Sequence, residues 1–280
     1  MQAAWWRVPA IVTALITGTA GSVLATASLA GAAGQAAAGR PADSVLLTAA
    51  TRHAAPGSGP RSKRGLRAPR MTPAMRRANA QKQAEASRYL RHVRPPAAKD
   101  LPGTQRPQIR NYFCGPATVT EMLAQMYVVL HQLAAAKELG TTTAGTDWFN
   151  KNGYPLPRVL NAHQKLTRYV AVGLPWSPTV AQVAVFRRDL VRDLNRGRGV
   201  PIAGAAYEVP GGPHLVGHPP GASIRHWFDI RGYSRAGAVT DYEDSVHGAS
   251  SIGWAAGVPA YSALPTTTMV YILGARGYIW

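Results

Sequence analysis

The stretch Gln108-Ile109-Arg110-Asn111-Tyr112-Phe113-Cys114-Gly115-Pro116-Ala117 decides how the chain is read, because it holds the single cysteine of the 280 residues. Behind it runs TVTEMLAQMYVVLHQLAAAKELG, where Met122, Leu123, Met126, Val129, Leu130 and Leu133 recur at helical spacing before Gly140. The pattern predicts one helix ending at Gly140, with Cys114 at or just before its N-terminus. Pro116 then falls in the first turn, where a missing N–H is tolerated. Unpaired N–H groups and the positive end of the helix dipole stabilise a thiolate at such a position. A buried structural cysteine would sit more naturally on the helix's apolar face, without glycine and proline directly after it. One cysteine also excludes an internal disulfide framework and a zinc site built on Cys pairs.

A thiolate that attacks a carbonyl needs donors aimed at the developing oxyanion. Gln108, six residues upstream, and the Cys114 N–H are candidates, with Gln105 a nearby alternative. The thiol also needs a base, and the base an orienting acceptor. Of the eight histidines, His226 opens Arg225-His226-Trp227-Phe228-Asp229-Ile230-Arg231-Gly232-Tyr233, which reads as a strand entering a turn. A second short strand, Ala238 to Tyr242, follows Ser234–Gly237, giving a hairpin. That brings Asp244, or alternatively Asp241, near His226. His214 and His218 in HLVGH are a possible metal pair, but Gly217 and the flanking prolines oppose the helix that an i,i+4 pair requires. No metal or organic cofactor is expected. Trp148 and Trp176 read as core or cleft-wall aromatics, and Trp148, after Gly145-Thr146-Asp147, is also a candidate to line a substrate groove.

Gln108 with Tyr112-Phe113-Cys114-Gly115-Pro116-Ala117, Glu138 to Thr146, Gly199-Val-Pro-Ile202, His226-Trp-Phe-Asp-Ile-Arg-Gly-Tyr233 and Asp244-Ser245 resemble family-39-like cysteine peptidases. These are papain-fold enzymes related to bacteriocin leader-processing peptidases. The resemblance spans about residues 105–275 and implies an α+β fold with a nucleophile helix on a small antiparallel sheet. It also implies Cys114 as nucleophile, His226 as base, Asp244 as orienter and Gln108 as oxyanion donor, acting on a peptide or protein. Two departures stand out. Ser245 replaces the family's usual proline, and the Pro/Gly-rich segment Glu208–Ser223 is longer than the family pattern. The remaining signals agree with an α+β domain: Thr179-Val-Ala-Gln182 is a capping box opening a helix that runs to Gly197, while Pro201–Tyr207 and Thr268–Leu273 read as strands.

Outward from this domain, composition divides the chain. The formal net charge is +18 although only 16% of residues are charged, below the roughly 25% of an average chain. Residues 31–100 carry +11 of that charge, and residues 101–280 only +6. That distribution excludes a uniformly basic nucleic-acid-binding fold, and no nucleic-acid partner is expected. Residues 1–30 have a short start to Arg7, an uncharged apolar run from Val8 to Ala30 and small-residue sites, the parts of a secretory signal peptide or a retained membrane anchor. Residues 31–100, rich in Ala, Pro, Gly and Arg, read as a largely disordered linker or removable pro-segment. Met71–Arg94 is its best helix former. Its basicity suits an anionic cell-wall polymer or a membrane surface. The expected protein is an exported, secreted or surface-anchored cysteine peptidase, with residues 101–280 as the peptidase domain. Its rivals are a transglutaminase-like acyl transferase and a non-catalytic papain-like surface- or wall-binding module.

Overall fold

The structure, a computed structural model, describes residues 63–280. The expected signal or anchor segment, residues 1–30, and residues 31–62 lie outside the described residues. No described helix is long and apolar enough to cross a membrane. In chain order the elements are α1 (Pro73–His92), β1 (Lys99–Asp100), α2 (Cys114–Gln125), α3 (Gln132–Leu139), α4 (Pro155–His163), β2 (Ala171–Gly173), α5 (Val180–Asn195), β3 (Ile202–Glu208), β4 (Ile224–Ser234), β5 (Val239–Glu243), β6 (Tyr261–Pro265), α6 (Thr266–Leu273) and β7 (Gly277–Ile279). The strands make one antiparallel sheet in the order β2-β7-β3-β4-β5-β6, with β1 added beside the end of β4. This is the mixed helix and antiparallel-sheet arrangement of a papain-like α+β domain.

The two-residue side-chain alternation of the strands sorts apolar residues onto the two faces of the sheet. Ile202, Ala206, Phe228, Ile230 and Tyr278 join a core with Phe186, Leu190 and Leu194 of α5 and Met269, Val270 and Ile272 of α6. Ala203, Ala205, Trp227 and Ile279 join the other core, with Cys114, Val119, Met122 and Leu123 of α2 and Val159 and Leu160 of α4. Fully burying one such side chain is worth roughly 1.5–3 kcal/mol, so both helical layers are pinned to the strands by many small contributions.

Three sequence expectations are corrected. The apolar run after Cys114 is not one helix. It breaks at Tyr127, which takes a left-handed φ of 62°, and resumes at Gln132. Val129 and Leu133 fit the helical spacing but remain 79% and 60% exposed, since nothing among the described residues packs over them. Thr268–Leu273 belongs to α6, not to a strand. A short continuous apolar run suits a buried helix as well as a buried strand, and here Pro265 precedes the first helical turn. Third, residues 63–100 of the stretch expected to be largely disordered are packed onto the domain. Thr72 caps α1 by accepting from the Met75 N–H, with Pro73 in the first turn. Lys82 of α1 pairs with Asp193 at 2.8 Å, its Nζ 4.4 Å from the Trp280 ring. Lys63 is buried and donates to the Tyr271, Ile272 and Gly274 carbonyls, closing the C-terminus of α6.

Between α2 and the sheet lies a buried acidic group: Glu121 of α2, Asp229 of β4 and Glu243 of β5, all 0% exposed. Gln125 Nε2 donates to Asp229 at 2.6 Å and to Glu243 at 3.2 Å, and the Thr104 hydroxyl and N–H donate to Glu243. Burial, and then the charge of Glu243, push the Glu121 and Asp229 carboxyls well above the ordinary range. The folded protein therefore binds these protons more tightly than the unfolded chain. Their contribution to stability is full below the unfolded value of about 4 and is lost as pH rises toward the folded values. Glu121→Gln should accordingly flatten the fall in stability above about pH 4, by up to about 1.4 kcal/mol per pH unit. Denaturation curves from acid to alkaline pH check this, and a variant curve parallel to that of the wild type refutes it.

Candidate active site

Cys114 is the first residue of α2 and is 9% exposed. Gly115 is required beside it, since a Cβ there would lie 2.3 Å from Thr146 Oγ1 and 2.6 Å from Thr146 Cβ. The 141–148 loop thus rests directly on the start of the helix, held by the Thr141–Thr146 hydroxyl contact and by Trp227 Nε1 donating to the Thr146 carbonyl.

His226 sits near the start of β4, opposite Ala206 of β3. On the other side β5 pairs only as far as Asp229↔Glu243, after which the chain leaves the sheet at Asp244. The hairpin thereby brings Asp244 to His226: Nε2 of His226 lies 2.9 Å from Asp244 Oδ1. The His226 ring also lies close enough to the Cys114 thiol to interact with it. Burial alone would raise the thiol, yet the hydrogen bond and charge of His226, the Trp227 backbone and the Arg276 charge bring it below its ordinary value. Burial alone would lower His226, but the charge and hydrogen bond of Asp244, with those of Cys114, raise it well above the usual imidazole value. Asp244 is itself held far below the carboxylate range, because the two neighbouring imidazoles outweigh its burial. These directions favour a thiolate–imidazolium pair backed by a carboxylate.

Of the two aspartates considered, the structure brings Asp244 to His226. Asp241 lies beside Asp100 and Arg231, and its carboxyl is pushed up to about 6 by burial and the Asp100 charge. Both glutamines anchor the Asp244 turn. Gln105 Nε2 donates to the Asp244 and His247 carbonyls. The Gln108 N–H donates to the Ser245 carbonyl at 2.8 Å, its Oε1 accepts from the Ser245 hydroxyl and its Nε2 donates to the Arg110 carbonyl. Ser245 thus supplies a hydroxyl contact that the family's usual proline lacks.

Two residues that the sequence reading did not assign complete the site. His218 is buried between two carboxylates, with Nε2 3.0 Å from Asp244 Oδ2 and Nδ1 2.8 Å from Glu208 Oε2. Those hydrogen bonds, from Asp244 first, outweigh burial and raise the His218 value. Both come from the long Glu208–Ser223 segment, which folds back over the hairpin. The only sequence signal was the unusual length of that segment and its HLVGH pair. His214 does not join His218: its ring nitrogens lie against the Gly212 and Ala222 carbonyls. His218, His226 and Asp244 do present ligand-type atoms within 4.8 Å of one another. Their mutual hydrogen bonds account for that closeness without a cation.

A cleft of about 390 Å³ opens at Cys114, lined by Thr146, Asp147, Trp148, Tyr207, Trp227 and Arg276 among others. Trp148 stacks on Trp227 with ring centroids 5.9 Å apart, and its indole N–H donates to the Arg70 carbonyl. Arg70 and Pro69, from the segment before α1, form part of the cleft wall.

Fold and site together define a papain-like domain with a thiol, an imidazole and a carboxylate in line. The family model described as Peptidase_C39 like family matches residues 100–256, and the chain belongs to that family. A search of curated proteins gives no match. Removing His218 leaves Glu208 and Asp244 as buried charges without their shared partner, so His218→Ala should cost about 3–5 kcal/mol of stability. Urea unfolding of His218→Ala beside the Glu208→Gln/His218→Gln double variant measures this. Equal losses in both would show that the charge pairing contributes nothing.

Proposed function

We propose that this protein is a thiol-dependent amide hydrolase, a cysteine peptidase acting through Cys114, His226 and Asp244. The observation that carries the reading is the convergence at one cleft of Cys114, at a helix N-terminus, with His226, which lowers the thiol and is itself bonded to the buried Asp244 at 2.9 Å. The thiolate attacks the carbonyl carbon of a peptide bond. The developing oxyanion takes hydrogen bonds from the Cys114 N–H and from Gln108, whose amide has a second N–H beyond the one given to Arg110. His226 protonates the leaving amine, then takes a proton from the water that hydrolyses the thioester. Asp244 fixes the ring orientation and stabilises the imidazolium, as in other triads. His218 and Glu208 hold Asp244 from behind as positioning residues.

The uncharged run from Val8 to Ala30 supports action outside the cytoplasm. The basic residues of the 31–62 stretch suit an anionic surface, whereas in the 63–100 stretch Lys63 and Lys82 are used within the fold.

The pH dependence of Cys114 alkylation by iodoacetamide tests the assignment. Fast reaction is expected to persist well below the ordinary thiol range, of about 8.5, and to retreat to that range in His226→Ala. Hydrolysis of casein-derived peptides should be lost in Cys114→Ala. An ordinary thiol profile that ignores His226 overturns the reading.

A further inference from the structure

Three guanidinium groups line the Cys114 cleft, from Arg70, Arg225 and Arg276, against one carboxylate, Asp147. Among the described residues none of the three arginines has an ion-pair partner within 4.0 Å. Each instead lies over an aromatic ring: Arg70 over Phe149 at 4.3 Å, Arg225 over Tyr207 at 5.4 Å and Arg276 over Trp227 at 5.0 Å. A ring face holds a guanidinium in place while leaving its in-plane N–H donors open. Elsewhere in the fold, arginines of this chain take carboxylates: Arg192 pairs with Asp193 and Glu85, and Arg231 with Asp100.

The backbone fixes two of these arginines at the catalytic end of the sheet. Arg225 precedes His226 and pairs across β3 with Tyr207. Arg276 lies in the turn before β7, whose Gly277 pairs with Ala205, and its own carbonyl and N–H bond Leu174 and Leu273. Arg225 thus faces Tyr207 across the β3–β4 pair beside His226, and Arg276, just before β7, lies over the neighbouring Trp227. The Arg276 charge also reaches Cys114, as the lowered thiol value reflects.

We propose that Arg225 and Arg276 form an anion-binding subsite that selects acidic peptides, with an Asp or Glu carboxylate on a residue flanking the scissile amide. A carboxylate there meets planar, preorganised donors and replaces the ion pairs that these side chains lack. The mutual repulsion of two like charges in one cleft is relieved by the substrate. This inference names the substrate class of the proposed thiol site, and it rests on Cys114 being a reactive thiolate.

The test compares alkylation of Cys114 by iodoacetate and by iodoacetamide, which differ in carrying a carboxylate or a neutral amide beside the reacting carbon. In the full chain the iodoacetate-to-iodoacetamide rate ratio should exceed that of free cysteine by about tenfold, equivalent to about 1.4 kcal/mol. The excess should disappear in Arg225→Gln/Arg276→Gln and persist in Arg276→Lys. Raising sodium chloride should erode it in the unaltered protein, which keeps the test informative if the double variant fails to fold. A ratio equal to that of free cysteine, or one indifferent to both salt and arginine removal, overturns the subsite while leaving the nucleophile intact. A Cys114 inert to both reagents below neutral pH overturns the peptidase reading on which it depends.

Discussion

The Asp244 carboxylate, 1% exposed, accepts from His226 on one oxygen and from His218 on the other, and the Val246 N–H joins the first. A buried carboxylate is costly unless its lone pairs are filled by charged or strongly polarised donors. That requirement organises the site. The β4–β5 hairpin must end where it does for Asp244 to meet His226, and the 208–223 segment must fold back for His218 to reach it. Gln105 and Gln108 tie down the turn that follows. The orientation of His226, and through it the state of the Cys114 thiol, follows from how that carboxylate is satisfied.

Beneath the same helix the polarity is handled differently. Glu121, Asp229 and Glu243 crowd together; Arg231 approaches Glu243 at 3.9 Å, while burial and the Glu243 charge push the Glu121 and Asp229 carboxyls up, so that protons make those two compatible with burial. Cys114 thus begins a helix whose first turn favours a negative charge and whose inner face covers groups that resist one. The two networks are adjacent but distinct: the first separates charge along a line of hydrogen bonds, and the second suppresses it.

The segment preceding α1 has a role that its composition conceals. Lys63 closes the end of α6, and Arg70 and Pro69 wall the cleft, with the Arg70 carbonyl accepting from Trp148 and Tyr154. A stretch with few apolar residues is held here by hydrogen bonds and ring contacts together with the packing of Met71 against the core.

The sequence by itself determined the local features: Cys114 beside Gly115 and Pro116 at a helix start, the capping box at Thr179, the hairpin turn and the order of the blocks that resemble the family. These were legible because each depends on neighbours in the chain, through spacing, glycine and proline geometry or capping. Tertiary structure alone decided that Asp244 rather than Asp241 meets His226, because that depends on where β5 stops pairing. It also decided that Val129 and Leu133 stay exposed, that 268–273 coils into a helix and that 63–100 packs. Most of all it decided that Glu208 and His218 stand behind Asp244. They lie 36 and 26 residues before Asp244 in sequence, and no local pattern marks a contact made only when a loop folds back to satisfy a buried charge.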